Sequence, residues 1–309
     1  MKFSVTIPAY KKKYFKTAIS SILNQTYGDF ELIIVDDCSP EDLKSIVDCF
    51  IDERIRYYRN ERNFGAEHVV DNWNKCLEYA TGDYIICMGD DDMLRPNCLQ
   101  DLEELIDRFS GKNVYYSRTE LIDENDNVIE VTPLRKLEES VYEMIFNRWN
   151  GGSMFIGDYC YQVHALRQHG GFYSLPFAWG SDAISAYEAG KKAGIANTQE
   201  VGFQYRVNRQ SISSATNNIE GKIKAIKAER KWFEDFFVKE PESFADKEIL
   251  YNLRNSIDEH FVHMYSADII SGIKACPLNQ TRYWLSKRKE IGMGRWDMLK
   301  CIIHGFCGI

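Results

Sequence analysis

Three absences narrow the reading of this chain before any motif is considered. No G-x-G-x-x-G follows the first strand-like segment, and no G-x-x-x-x-G-K-[ST] occurs anywhere. The phosphate-cradling loops of dehydrogenases and ATPases are therefore missing. No run of about 18 apolar residues exists, so no segment reads as a membrane-spanning helix. The nine cysteines contain no C-x-x-C pair, which removes the usual zinc and dithiol sites and points to a reducing cytoplasm. Cys38, Cys87 and Cys301 sit among apolar neighbours, where a thiol packs as a small hydrophobe. The N-terminus shows strand-like residues instead of a charged stretch and apolar cleavage segment, so no signal peptide is evident.

A net positive charge is also lacking. The net charge of -8 over 309 residues argues against a nucleic-acid partner. Its distribution is uneven. From Gly272 to Ile309, Lys274, Arg282, Lys287, Arg288, Lys289, Arg295 and Lys300 stand against Glu290 and Asp297, a local +5 that leaves -13 on the preceding part. A basic tail behind an acidic body suits contact with an anionic membrane.

What is present first is an alternation of strand-like and helix-like segments over the first 110 residues. Strands are predicted at Phe3 to Ile7, Glu31 to Val35, Ile55 to Arg59 and Tyr84 to Met88. Helices are predicted at Tyr14 to Leu23, Asp42 to Phe50, Ala66 to Tyr79 and Pro96 to Phe109. Such alternation implies crossovers and a mostly parallel sheet, whose ligands bind beyond the carboxyl ends of the strands. Polar clusters fall at three of those ends: Pro8-Ala9-Tyr10, Asp36-Asp37, and Asp90-Asp91-Asp92. The middle is more mixed, with strands expected at Asn113 to Ser117 and Asn127 to Val131. From Asn218 the pattern is helical, over Ile219 to Phe237 and Lys247 to Ile273, with Pro241 breaking between them and Pro277 opening a last segment.

The triple aspartate is the most informative feature. A buried apolar strand followed by Gly89 delivers three carboxylates side by side, and their mutual repulsion makes most sense around a cation. Oxygen ligands favour Mg²⁺ or Mn²⁺ shared with nucleotide phosphates. The alternative is a solvated loop with a helix N-cap.

Five ordered blocks carry a resemblance. They are Ser4-Val5-Thr6-Ile7-Pro8-Ala9-Tyr10, Ser20-Ser21-Ile22-Leu23-Asn24-Gln25-Thr26, Phe30 to Ser39, Arg62-Asn63-Phe64-Gly65, and Ala80-Thr81-Gly82-Asp83-Tyr84-Ile85. With the aspartates and Met93-Leu94-Arg95-Pro96, they resemble family 2 glycosyltransferases, strongly over residues 1 to 110 and weakly over 150 to 215. The resemblance implies an inverting, nucleotide-diphospho-sugar-dependent enzyme of α/β class. Its fold would be of GT-A type, a mixed, mostly parallel sheet flanked by helices. Residues 1–217 would form the catalytic domain (1–110 nucleotide half, 111–217 acceptor half), and 218–309 a helical C-terminal extension.

The same resemblance implies roles. Pro8, Ala9, Tyr10, Asp37 and Asn63 belong to the donor-binding set, and a carboxylate at Asp37 suits the imide N–H of uracil or thymine. The family's metal motif usually reads Asp-x-Asp, and its first position here is Gly89. By position Asp91 is the Mn²⁺ or Mg²⁺ ligand with Asp92 beside it, and Asp90 either a ribose partner or a support for the metal ligand. In Trp179-Gly180-Ser181-Asp182, Ser181 replaces the family's Glu while Asp182 is kept as the general base; its alternative is a first-turn helix acid. Arg206 and Arg209 suit bidentate contact with the diphosphate, against the commoner fate of a surface ion pair.

The expected partners are a nucleotide-sugar donor and a glycan or lipid-linked acceptor in surface polysaccharide synthesis. A homodimer and a peripheral contact with the inner face of the plasma membrane, through apolar residues among the C-terminal lysines and arginines, are further expectations. Gly89 and Ser181 keep open a carbohydrate-binding protein that has lost catalysis. A sugar nucleotidyltransferase would want glycines beside Lys11-Lys12-Lys13. His260 and His263 read as packing residues, because no third ligand stands near them.

Overall fold

The computed structural model describes residues 1–208 and 219–307. The chain divides into two units, Met1–Ser174 with Ser181–Arg209, and Leu175–Gly180 with Gln210–Ile309.

In the first unit the strands are β1 (Phe3–Ala9), β2 (Phe30–Asp36), β3 (Ile55–Arg59), β4 (Tyr84–Cys87), β5 (Met93–Leu94), β6 (Val114–Ile122), β7 (Val128–Val131), β8 (Glu138–Glu139), β9 (Tyr159–Gln162) and β10 (Ile195–Arg206). They form one sheet in the order β3-β2-β1-β4-β9-β6-β10-β5, with β7 beside β6 and β8 beside β10. Strands β3, β2, β1 and β4 are mutually parallel, as are β6 and β10, and the remaining pairs are antiparallel. The sheet is therefore mixed, with an unbroken parallel part in the first ninety residues. That part brings Ala9, Asp36, Arg59 and Cys87 to one edge.

The helices of this unit are α1 (Phe15–Leu23), α2 (Lys44–Val47), α3 (Val69–Tyr79), α4 (Cys98–Arg108), α5 (Val141–Trp149), α6 (Val163–Gln168) and α7 (Ser181–Gly190). Helices α1, α3 and α4 pack by a stripe at helical spacing, whereas α2 buries only Val47 and α7 is buried nearly all round. In α1 the stripe is Phe15, Ala18, Ile19 and Ile22, all fully buried against Phe3, Val5, Ile7, Leu32 and Ile34. Burial of each larger side chain contributes about 1.5 to 3 kcal/mol. The other face of β1 carries hydroxyls, Ser4 and Thr6, equally buried. Ser4 lies in register with Glu31 and donates to it at 2.7 Å.

The helix expected from Asp42 shrinks to one turn, and the one expected from Ala66 opens as a short 3-10 segment, Ala66–His68, before α3. Strand β6 runs past Ser117 to Ile122. Strand β10 is bulged between Asn197 and Phe203. Beyond the bulge it pairs with β5, Phe203 opposite Leu94 and Gln204 opposite Met93. The chain just after the aspartates is thereby clamped to the end of β10.

The second unit contains α8 (Ile219–Phe236), α9 (Phe244–Ala275), α10 (Pro277–Lys287) and α11 (Arg295–Cys307). In α9, Phe261, Tyr265, Ile269 and Ile273 recur every four residues and are buried. Phe233 of α8 lies against Phe261 with ring centroids 6.1 Å apart, and Lys222 pairs with Asp268 at 2.9 Å. Among the described residues no helix is long and apolar enough to cross a membrane. All nine cysteines are free.

Candidate active site

The carboxyl ends of β1, β2, β4 and β10 converge, and each is tied to its neighbour by a named contact. Asp90 Oδ2 accepts the backbone N–H of Tyr10 at 2.7 Å and of Lys11 at 2.6 Å. The end of β1 therefore wraps the first carboxylate of the cluster. Asp92 Oδ1 accepts the Arg206 N–H at 2.9 Å, and its Oδ2 the Gly89 N–H at 3.3 Å. Asp91 accepts from the Asn208 amide at 2.7 Å, and its carbonyl from Arg206 Nε at 2.7 Å.

The electrostatics follow from this crowding. Burial, and then the Asp91 charge, push Asp90 up to about 6, against the pull of the two N–H groups. Asp92 is raised well above the usual carboxylate range by the same two causes in the same order. Three acids so close hold more negative charge than the local donors compensate, and a cation relieves that.

Gly89 explains how the second and third acids fold back. A Cβ there would stand 2.8 Å from Asp91 Oδ1 and 2.8 Å from Asp92 Oδ2, well inside van der Waals contact. Those two oxygens therefore face the same small space. Among the described residues no three His, Cys, Asp or Glu side chains form a group able to hold a metal by themselves. Two carboxylates completed by substrate phosphates are the donor set Mg²⁺ or Mn²⁺ takes in nucleotide sites, so the residues present fit such an ion.

The base-binding candidates lie next to this cluster. The Asp37 N–H donates to Ala9 O at 2.9 Å. The Asp37 carboxylate accepts the Asn60 amide at 2.9 Å and the Phe64 N–H at 3.0 Å. Asp36 is buried beneath, held by Arg59, by the Tyr57 hydroxyl at 2.5 Å and by the Ser39 N–H at 2.7 Å. Ser39 closes the loop by donating to Tyr10 O at 2.6 Å. The Tyr10 side chain remains 41% exposed, Asn63, next to Phe64 in sequence, is exposed, and Pro8 is half-buried.

Arg206 departs from the expected diphosphate contact. Its side chain is buried, and its guanidinium donates to Asp91 O, Asp123 O at 2.8 Å and Met93 S, and pairs with Asp126 at 2.6 Å. It also lies 4.2 Å from the Tyr14 ring centroid. The fork is used to brace the Asp91 backbone. Arg209 lies outside the described residues. Asp182 occupies the first turn of α7, half-buried, with Oδ1 accepting its neighbour's Ala183 N–H at 2.8 Å. Its charge is felt by two buried groups of β9 and the turn before it, Asp158 and Tyr161. Burial pushes Asp158 up to about 8 although the Thr119 hydroxyl and the Phe155 N–H both donate to it.

The model of the family described as glycosyl transferase family 2 matches residues 4–168, more than half of the chain. The chain belongs to glycosyltransferase family 2. That span contains Asp37 and all three aspartates, while Asp182 and Arg206 lie beyond it. Among curated relatives, this glycosyltransferase is 28% identical over 234 residues to the UDP-Glc:alpha-D-GlcNAc-diphosphoundecaprenol beta-1,3-glucosyltransferase WfgD of Escherichia coli, covering 74% of this chain and 83% of that one. It is 35% identical over 104 residues to the GalNAc(5)-diNAcBac-PP-undecaprenol beta-1,3-glucosyltransferase of Campylobacter jejuni, 33% of each chain. Several curated relatives are matched over only about a third of their length. The solved structure of S. aureus TarS 1–349 in complex with UDP-GlcNAc superposes with a TM-score of 0.67 at 18% identity, over 98% of this chain and 89% of that one. The fold is of GT-A type.

Three polar residues that partner or neighbour the candidate residues escaped the sequence reading. Asn60 sits at the end of β3, a fourth strand end whose polar residue went uncounted. Asn208 stands between Arg206 and Arg209, whose residue type suits a diphosphate, and carries no such signal itself. Asp158 lies in an otherwise apolar segment and offers no local signal.

Proposed function

We propose that this family 2 glycosyltransferase transfers a hexose, with inversion, from a UDP-sugar to a glycan or lipid-linked acceptor in surface polysaccharide synthesis at the cytoplasmic face of the membrane. The observation that carries the reading is the wrapping of Asp90 by the Tyr10 and Lys11 N–H groups. That contact ties the Pro8-Ala9-Tyr10 turn to the carboxylate cluster at one sheet edge, which supports reading the two together as a nucleoside diphosphate site. The relatives named above support the donor class, one by its UDP-Glc donor and the other by bound UDP-GlcNAc.

In this reading Asp37 and the Pro8-Ala9-Tyr10 backbone hold the base, with Asn63 at the rim, and Asp90 orients the ribose. Asp91, with Asp92 behind it, would hold Mn²⁺ or Mg²⁺. That ion, when bound, would offset the negative charge growing on the departing diphosphate. Arg206 and Asn208 act on Asp91, the one through its carbonyl and the other through its carboxylate, and keep it aimed. Asp182 takes the proton from the acceptor hydroxyl as that oxygen attacks the anomeric carbon opposite the leaving group. An α-linked donor then yields a β-glycoside.

Nucleoside diphosphate release from a panel of UDP- and dTDP-sugars, with mixed glycan and undecaprenyl-linked acceptors, tests the class. NMR of the product anomer tests the stereochemistry. Release from a UDP-sugar with inverted configuration is expected, and a retained configuration overturns the single displacement.

A further inference from the structure

Helix α11 buries Met298, Cys301 and Gly305, and it approaches α9 so closely that a Cβ on Gly305 would stand 2.6 Å from Ile273. Its opposite face is apolar as well. Trp296 is 76% exposed, Leu299 44%, Ile303 48% and Phe306 53%. Spacings of three, four and three residues align these side chains in one stripe. Exposed Arg295 and Lys300 border the stripe on either side. On α10, Leu278 and Leu285 stand seven residues apart at 81% and 50% exposure, with exposed Arg282 between them and Lys289 beyond.

We propose that the outer face of α11 docks on an anionic membrane surface. Three features select that occupant. The first is charge complementarity: the local +5 of this segment, inside a chain of net -8, puts cations beside the exposed apolar residues. The second is composition, since an apolar stripe holding a tryptophan, edged by Lys and Arg, is the pattern of a helix lying in the headgroup layer. The third is size. The stripe offers roughly 500 Å², whereas a stable protein interface needs about 800 Å² per partner. Docking here is peripheral. It stands apart from the transfer chemistry and would bring the enzyme to a lipid-linked acceptor.

The test is cosedimentation of the full chain with vesicles of phosphatidylcholine alone or with about a third phosphatidylglycerol. The variants are Trp296→Ser with Ile303→Ser, and separately Lys300→Glu; all three side chains are exposed. Wild type is expected to partition onto the anionic vesicles, less so as salt rises, with weak binding to neutral ones. The double variant is expected to lose at least about tenfold in partitioning, and Lys300→Glu to lose part of it. Absent wild-type binding, or equal binding by wild type and the double variant, overturns the proposal. A concentration-dependent dimer that the double variant dissociates would assign the face to a second copy and also overturn it. Sugar transfer is not read in this assay, so failure of the transfer reading leaves the result intact.

Discussion

Glu31 sits at the amino end of β2, the end of the sheet opposite the strand-end aspartates, where four segments meet, and its replacement by Gln tests whether a single buried charge holds them in register. Its Oε1 accepts the Ser4 hydroxyl at 2.7 Å, the Thr81 N–H at 2.6 Å and the Thr81 hydroxyl at 2.9 Å. Its Oε2 pairs with Arg56 at 2.7 Å and lies 3.6 Å from Lys2. Burial alone would raise this carboxyl, but Ser4, Thr81 and Arg56 outweigh it and hold it at about 2, down from 4.5. A lowered acid contributes stability above its unfolded value that is lost as pH falls through the folded one. At 1.36 kcal/mol per pH unit the charge is worth about 3 kcal/mol at pH 7, an upper figure because solvent screens the Arg56 end. By the same relation it falls to about 1 kcal/mol at pH 3. Urea melts of wild type and Glu31→Gln should therefore differ by about 2 to 3 kcal/mol at pH 7 and by much less at pH 3. An equal gap at both pH values would show that packing, not charge, ties the strands, and would refute the reasoning.

The remaining predictions concern the site. Gly89→Asp, which restores the usual family pattern, is expected to lower turnover about 100-fold, because its Cβ displaces the Asp91 and Asp92 carboxylates; steady-state kinetics that improve would contradict this. Asp182→Asn is expected to cut transfer by about 10² to 10⁴ in kcat while donor KM changes little. A rise in KM at constant kcat would move the base elsewhere. Asp158 is raised to about 8 in the fold, so its neutral form is favoured there and stability drains away as pH rises toward 8. Asp158→Asn should flatten that loss between about pH 4 and 8 in denaturant melts, and an unchanged slope would place the titration elsewhere.

The first ninety residues were the most readable because their strands are apolar runs with polar residues only at the ends. Asp36, Asp37 and Asp90 to Asp92 therefore announced their edge directly. The polar groups inside the sheet were hidden for the opposite reason. Ser4, Thr6 and Glu31 are buried polar groups whose partners come from segments far apart in the chain, so no local pattern marks them. Arg206 read as a phosphate ligand because its residue type suits one. Its contacts are set by β10 pairing with β5, a long-range register that spacing does not reveal. Asn208 follows from the same register. Asp158 needs three-dimensional proximity to Asp182 before it has any meaning.

Calorimetric titration of UDP into wild type and Asp91→Asn, each with Mn²⁺ and with EDTA, tests the central claim without knowledge of the sugar or acceptor. Binding that requires Mn²⁺ in wild type and disappears in Asp91→Asn is the predicted result. Equal UDP affinity in EDTA, or in the variant, would contradict the assignment of the strand-end carboxylates as the metal-bridged diphosphate site.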